Sequence, residues 1–133
     1  MPGESILIVE DNDTNLRLFT YLLSSKGYEV RGAGDAPEVL QLLQTFRPRL
    51  ILMDLQLPGT NGYELTRTIK ADPALRDIPI IALTAYAMRG DEEKARAAGC
   101  DGYITKPIDT RAFPARIAEF LAKGPQGRAP DDP

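Results

Sequence analysis

Five short apolar runs alternate with five longer stretches in which apolar residues recur every three or four positions, and this alternation constrains the chain most. The runs are Ser5-Ile6-Leu7-Ile8-Val9, Tyr28 to Ala33, Leu50 to Asp54, Ile80-Ile81-Ala82-Leu83-Thr84 and Tyr103-Ile104-Thr105. Each is strand-sized, and Gly, Pro, Asn or Asp punctuates the joins. The intervening stretches predict helices. The first runs from about Asn15 to Lys26, with Leu16, Phe19, Leu22 and Leu23 on one stripe and Gly27 closing it. Asp35 is a candidate N-cap for the second, which carries Val39, Leu40, Leu42, Leu43 and Phe46 and ends by Pro48. The third spans about Gly62 to Ala71, with Leu65 and Ile69 four apart. The fourth, Asp91 to Ala98, is short and alanine-rich and stops at Gly99. The fifth spans about Thr110 to Ala122, with Phe113, Ile117, Phe120 and Leu121 inward. Pro114 is expected to cost this helix one backbone hydrogen bond. Strands alternating with helices imply a parallel sheet covered on both faces. The expected fold is therefore α/β, a doubly wound five-stranded parallel sheet of flavodoxin-like (βα)5 type, strand order 2-1-3-4-5.

Composition narrows the chemistry. The chain has 133 residues, so one domain is the default, taken here as residues 1–123, with 124–133 read as a disordered Pro/Gly-rich tail. Its net charge of −3 lacks the electrostatic footprint of a nucleic-acid binder. No apolar stretch is long enough to span a membrane, and Met1-Pro2-Gly3-Glu4 shows no secretory signal. The single cysteine, Cys100, reads as a small packed thiol in a reducing cytoplasm. There is no histidine, so Ser-His and Cys-His nucleophile pairs, His-ligated zinc and phosphohistidine on this chain are excluded. Any phosphoryl chemistry must run on carboxylates.

The ends of the strands carry the functional signal. In the expected order, strand 1 delivers Glu10-Asp11, strand 3 Asp54, strand 4 Thr84 and strand 5 Lys106. Open α/β sheets place ligands at this edge, where the strand order reverses. Taken singly, each residue has an ordinary role. Glu10-Asp11 suits a helix N-terminus, Asp54 a turn, Thr84 a strand and Lys106 a solvated surface. Together they form a constellation. Three carboxylates within roughly 5 Å repel by about 3 kcal/mol per pair at an effective dielectric near 20. An oxygen-only set of this kind calls for a hard cation such as Mg2+. Lys106 and Thr84 supply a positive charge and a hydroxyl suited to phosphate oxygens. Asp54, between the two halves, is a carboxylate nucleophile able to form an acyl phosphate.

These residues resemble the receiver domains of two-component response regulators. The resemblance rests on Ile6-Leu7-Ile8-Val9-Glu10-Asp11-Asn12, Met53-Asp54-Leu55-Gln56-Leu57-Pro58-Gly59, Leu83-Thr84-Ala85 and Tyr103-Ile104-Thr105-Lys106-Pro107. It covers residues 5 to 122, and within the family it is closest in kind to single-domain receivers of the DivK type. Receivers fused to hybrid kinases look similar. The resemblance implies Asp54 as phosphoacceptor, Asp11 as a direct Mg2+ ligand, Glu10 as the second acid, and the Gln56 main-chain carbonyl as a further ligand. It implies Thr84 as the switch hydroxyl, Lys106 as the phosphate-binding lysine and Tyr103 as the aromatic that turns inward. Gln56 and Tyr86 would flank the path of attacking water. Many receivers have Asp where this chain has Glu10, which leaves direct or water-mediated coordination open. The implied protein is a switch that assists its own phosphorylation and dephosphorylation. Its donor would be a sensor histidine kinase or a histidine phosphotransfer protein.

Other functions fit less well. A haloacid-dehalogenase-type phosphatase places a second Asp two residues after its nucleophile, where this chain has Gln56, which cannot transfer a proton. An FMN carrier would need a phosphate loop where Glu10-Asp11 would repel the phosphate. A non-phosphorylated scaffold would not need the full acid, Thr and Lys set. With no output domain expected after residue 122, the signal is expected to leave through protein contacts. The candidate face combines helix 4, strand 5 and helix 5, including Tyr103, Arg111 and Arg116.

Overall fold

A computed structural model of the chain describes residues 4–55, 62–84, 91–105 and 108–123. The elements run β1 (Ser5–Val9), α1 (Asp13–Ser24), β2 (Glu29–Ala33), α2 (Ala36–Leu42), β3 (Leu50–Asp54), α3 (Gly62–Ala71), β4 (Ile80–Thr84), α4 (Asp91–Ala98), β5 (Gly102–Thr105) and α5 (Phe113–Lys123). The strands form one sheet in the order β2-β1-β3-β4-β5, every pair parallel. This is the expected topology.

The two-residue period of the strands builds two cores. Leu7, Val9, Ile51, Met53, Ile80 and Ala82 face one side, packing with Val39, Leu43, Phe46, Leu65 and Ile69. Ile6, Ile8, Leu50, Leu52, Ile81 and Leu83 face the other, packing with Phe19, Leu23, Phe113, Ile117 and Leu121. The central strands β1, β3 and β4 therefore bury both faces, which is why they read as unbroken apolar runs. Edge strand β2 is mostly exposed, and its Arg31 pairs with Glu29 at 3.2 Å and lies 4.9 Å from the centre of the Phe46 ring. Charge on an edge discourages pairing with another chain.

Helix bounds follow the caps rather than the apolar stripes. The Asn12 side chain accepts the Asn15 amide at 2.9 Å, so α1 starts at Asp13, ahead of the expected Asn15. Asp35 caps α2 by accepting the Glu38 amide, and the Glu38 carboxylate accepts the Gly34 amide in return. That helix stops at Leu42, although Leu43 and Phe46 stay buried in the turns beyond it. Leu40, within α2, is 37% exposed. The Asp109 carboxylate holds the Arg111 and Ala112 amides in a turn, and α5 begins at Phe113 instead of Thr110. Pro114 thus occupies the second helical position, whose N–H has no intrahelical partner, so the expected hydrogen-bond loss does not arise. Gly27 and Gly99 end α1 and α4 with φ of 95° and 113°, in the left-handed region.

Behind α3 and β5 lies a polar clip. The Lys70 ammonium donates to the Asp101 carboxylate at 2.9 Å and to the carbonyls of Ile78 and Arg76 at 2.9 and 3.0 Å. The same carboxylate oxygen accepts the Ile80 amide at 2.9 Å. One lysine so joins the end of α3, the entry to β4 and the entry to β5. Nearby, the buried Cys100 thiol lies 3.9 Å from the Thr66 hydroxyl, and burial pushes its pKa up to about 11. The thiol is a packed, protonated group at neutral pH. Helix α4 is held lightly by comparison, since Ala95 and Ala98 are its described buried side chains.

Removing the ammonium of a largely desolvated ion pair takes a neutralising charge from the buried carboxylate. Lys70→Met is therefore expected to destabilise the fold by about 3 kcal/mol, read from the shift of the urea unfolding midpoint at constant slope.

Candidate functional site

Five polar or charged residues are buried among the described ones: Glu10, Asp54, Thr66, Thr84 and Asp101. The clip accounts for Asp101, and the Cys100 contact accounts for Thr66. The other three all lie at the carboxyl edge of the sheet. Asp54 and Thr84 are the last residues of β3 and β4, and Glu10 directly follows β1.

Register brings them together. Val9 pairs with Met53, so the next positions, Glu10 and Asp54, stand side by side. Asp54 pairs with Leu83, which sets Thr84 one step further out, and Thr84 pairs with Thr105 at the end of β5. The backbone is fixed on each flank: the Glu10 amide donates to the Ala33 carbonyl at 2.9 Å, and the Leu55 amide to the Leu83 carbonyl at 3.0 Å. Glu10, Asp11 and Asp54 each bring one carboxylate oxygen within 4.8 Å of the others. Glu10 and Asp54 are each 2% exposed, whereas Asp11 faces solvent. The acid cluster is thus walled on two sides and open at Asp11.

Asn12 has a part that sequence reasoning did not assign. Its amide donates to Glu10 Oε2 at 3.3 Å while its side chain caps α1. The helix start and the second acid are thereby fixed to one another. An Asn two residues after an acidic strand end, before a helix, is the readable trace of this arrangement.

The donor set fits a hard divalent cation. It consists of carboxylate oxygens from three residues within 4.8 Å of one another, two of the residues buried, and a positive charge among them would offset their repulsion. Tyr103 is half-buried and packs against the α2–α3 side of the core, while its carbonyl accepts from Arg116 at 3.4 Å. With Ile104, Thr105, Ile108, Phe113 and Arg116 it lines a cavity of about 270 Å³ beside α5. Arg111 and Arg116 are both exposed. The expected roles of Gln56, Tyr86 and Lys106 fall outside the described residues, as does the 124–133 tail.

Comparison with known proteins agrees with this geometry. Residues 6–118 match the response regulator receiver domain. The chain belongs to that family, and is a phosphoacceptor signalling switch. Among curated relatives, the polar-differentiation response regulator DivK of Brucella anthropi is 48% identical over 118 residues, covering 89% of this chain and 96% of that protein. DivK of Brucella ovis is 47% identical over the same length. The receiver domain of a Pseudomonas aeruginosa sensor histidine kinase, solved with a magnesium ion in its active-site cleft, superposes with a TM-score of 0.82 at 37% identity. That match covers 90% of this chain and 98% of the other. A CheY-like receiver from Methanospirillum hungatei gives a TM-score of 0.83 at 31% identity, covering 91% and 95%. Receivers in general exchange phosphoryl groups with kinases and phosphotransfer proteins. No described helix is long and apolar enough to cross a membrane.

Like charges at these distances oppose folding when no cation is present. Asp11→Asn is therefore expected to raise the thermal midpoint in EDTA by roughly 4 °C, measured by circular dichroism.

Proposed function

We propose that Asp54 is the phosphoacceptor and that Glu10 and Asp11 form, with it, a Mg2+ site completed by the Gln56 main-chain carbonyl. The observation that carries this reading is the convergence of the three carboxylates, two of them buried, at the carboxyl edge of the sheet. A bound Mg2+ would neutralise the converging charge and accept phosphate oxygens. Asp11, open to solvent, is placed for direct ligation. Glu10, with one oxygen engaged by the Asn12 amide, is placed to act with its other oxygen or through water.

The chain's own residues do the rest. An Asp54 carboxylate oxygen attacks the phosphorus of a phosphohistidine on a histidine kinase or phosphotransfer protein. The P–N bond breaks, its electron pair stays on the donor imidazole, which leaves neutral because its other nitrogen carries a proton, and an aspartyl phosphate forms. The rigid register of β1 and β3 holds the attacking oxygen in line, which is where most of the rate arises. Thr84, one residue from Asp54's sheet partner, is placed to grip a phosphoryl oxygen, and Lys106 is assigned the balancing positive charge. The proton on the leaving imidazole belongs to the donor protein, which suits a chain without histidine.

The output surface we propose is the α4–β5–α5 face. Tyr103 there is half-buried beside a cavity, and Arg111 and Arg116 are exposed. An aspartyl phosphate carries about two negative charges at neutral pH, about one more than the free carboxylate. Drawing Thr84 toward them would change how Tyr103 packs and hence what this face binds. A reducing cytoplasm fits the single buried thiol.

Incubation with acetyl phosphate and Mg2+ tests the assignment. The wild type is expected to take up an acid-stable, hydroxylamine-labile label, and Asp54→Asn to lose it entirely while keeping its fold. Label persisting on another residue of the variant would overturn the role of Asp54.

Thr84→Ala should still accept the label yet lose its consequence. Pulldown with phosphorylated and unphosphorylated protein is expected to give the same partners for this variant and different ones for the wild type. A phosphorylation-dependent set in Thr84→Ala would remove the hydroxyl from the switch.

A further inference from the structure

Gly62 is a glycine whose conformation does not require one. Among the described residues, positive φ occurs at Gly27 and Gly99, so the Gly62 backbone is open to any L-residue. It is the first residue of α3, where alanine would favour the helix. Space is what excludes a side chain. A Cβ at Gly62 would lie 2.7 Å from Leu55 Cα, 2.9 Å from the Asp54 carbonyl oxygen and 3.2 Å from the Leu55 carbonyl carbon.

All three are backbone atoms of the residues that end β3. They cannot swing aside as a side-chain tip does. Gly32 and Gly102 differ in this respect, because a Cβ there meets side-chain atoms of Leu16, Phe120 and Ile81. Both partners of the Gly62 contact are also held from behind. Asp54 is paired with Leu83 in the sheet, and the Leu55 amide donates to the Leu83 carbonyl at 3.0 Å. On the other side, Leu65, Thr66 and Ile69 anchor α3 in the core. A methyl group would have to push the Asp54–Leu55 peptide away from α3, or α3 away from the sheet.

We propose that Gly62 is a positioning residue for phosphoryl transfer. Its missing side chain lets the start of α3 seat directly on the Asp54–Leu55 peptide, and that seat fixes where the Asp54 carboxylate stands relative to Glu10 and Asp11. The inference rests on the reading of Asp54 as phosphoacceptor. In-line transfer is steep in geometry, and a displacement near 1 Å costs up to roughly 100-fold in rate.

The test uses the full chain and compares wild type, Gly62→Ala and Ile117→Ala. Ile117 lies in the opposite core, so its variant sets the baseline for a stability loss that does not touch the site. The readouts are the rate of labelling by acetyl phosphate and the Mg2+ dissociation constant by calorimetry without phosphodonor. Gly62→Ala is expected to label about tenfold or more slowly and to bind Mg2+ more weakly, with Ile117→Ala near wild type in both when folded. Sucrose can restore the folded population if Gly62→Ala is unstable. A second variant, Leu65→Val, loosens the same seat without a clash, and is expected to slow labelling in the same sense but less. Wild-type labelling rates and Mg2+ affinities in folded Gly62→Ala and Leu65→Val would overturn the proposal. No label in wild type would instead overturn the phosphoacceptor reading, and this inference with it.

Discussion

Two buried carboxylates, Glu10 and Asp54, stand beside each other because β1 and β3 pair in register. Their mutual repulsion is the constraint around which the carboxyl edge is arranged. It is tolerated because the backbone at each end is already committed elsewhere. The Glu10 amide is hydrogen-bonded to the Ala33 carbonyl and the Leu55 amide to the Leu83 carbonyl, so the main chain that carries each acid is fixed in the sheet. The Asn12 amide adds a donor to Glu10, and α1 starts from that same residue. Stability supplied by the apolar centre of the sheet is thus held as electrostatic tension at one edge. Charge arriving at that edge, as cation or phosphoryl group, acts on a frame that cannot relax by drifting.

The opposite end of the sheet is settled differently. There the Lys70–Asp101 pair ties three chain segments together with opposite charges and four hydrogen bonds. The molecule therefore pairs unlike charges where strands β4 and β5 begin and gathers three carboxylates where β1 and β3 end. This polarity suits a switch, because a perturbation at the charged edge is confined by a closed network at the far edge.

What the sequence made legible follows from how local each signal is. The strands at Leu50–Asp54 and Ile80–Thr84 were readable to the residue, since burial on both faces leaves a continuous apolar run with a polar stop. Glu10, Asp11, Asp54 and Thr84 then followed from topology alone. Helix starts were less readable, because one capping side chain decides them: Asn12 moves α1 forward and the Asp109 turn delays α5. Contacts between distant segments left no local trace. Lys70 and Asp101 are 31 positions apart and each reads alone as a surface charge. Gly62 reads as the start of the third helix, and its closeness to the Asp54 backbone exists only in three dimensions.

The sparse packing of α4 has a consequence for where motion can begin. A fully buried Leu or Ile contributes roughly 1.5–3 kcal/mol, and α5 sets Phe113, Ile117 and Leu121 into the core where α4 offers Ala95 and Ala98. Cooperative units with little buried apolar surface are the ones that open first. The helix following Thr84 is therefore the cheapest part of the sheet's cover to lift. In kinetic terms, light packing lowers the barrier to opening, and in this fold it lies next to the residue that would feel a phosphoryl group.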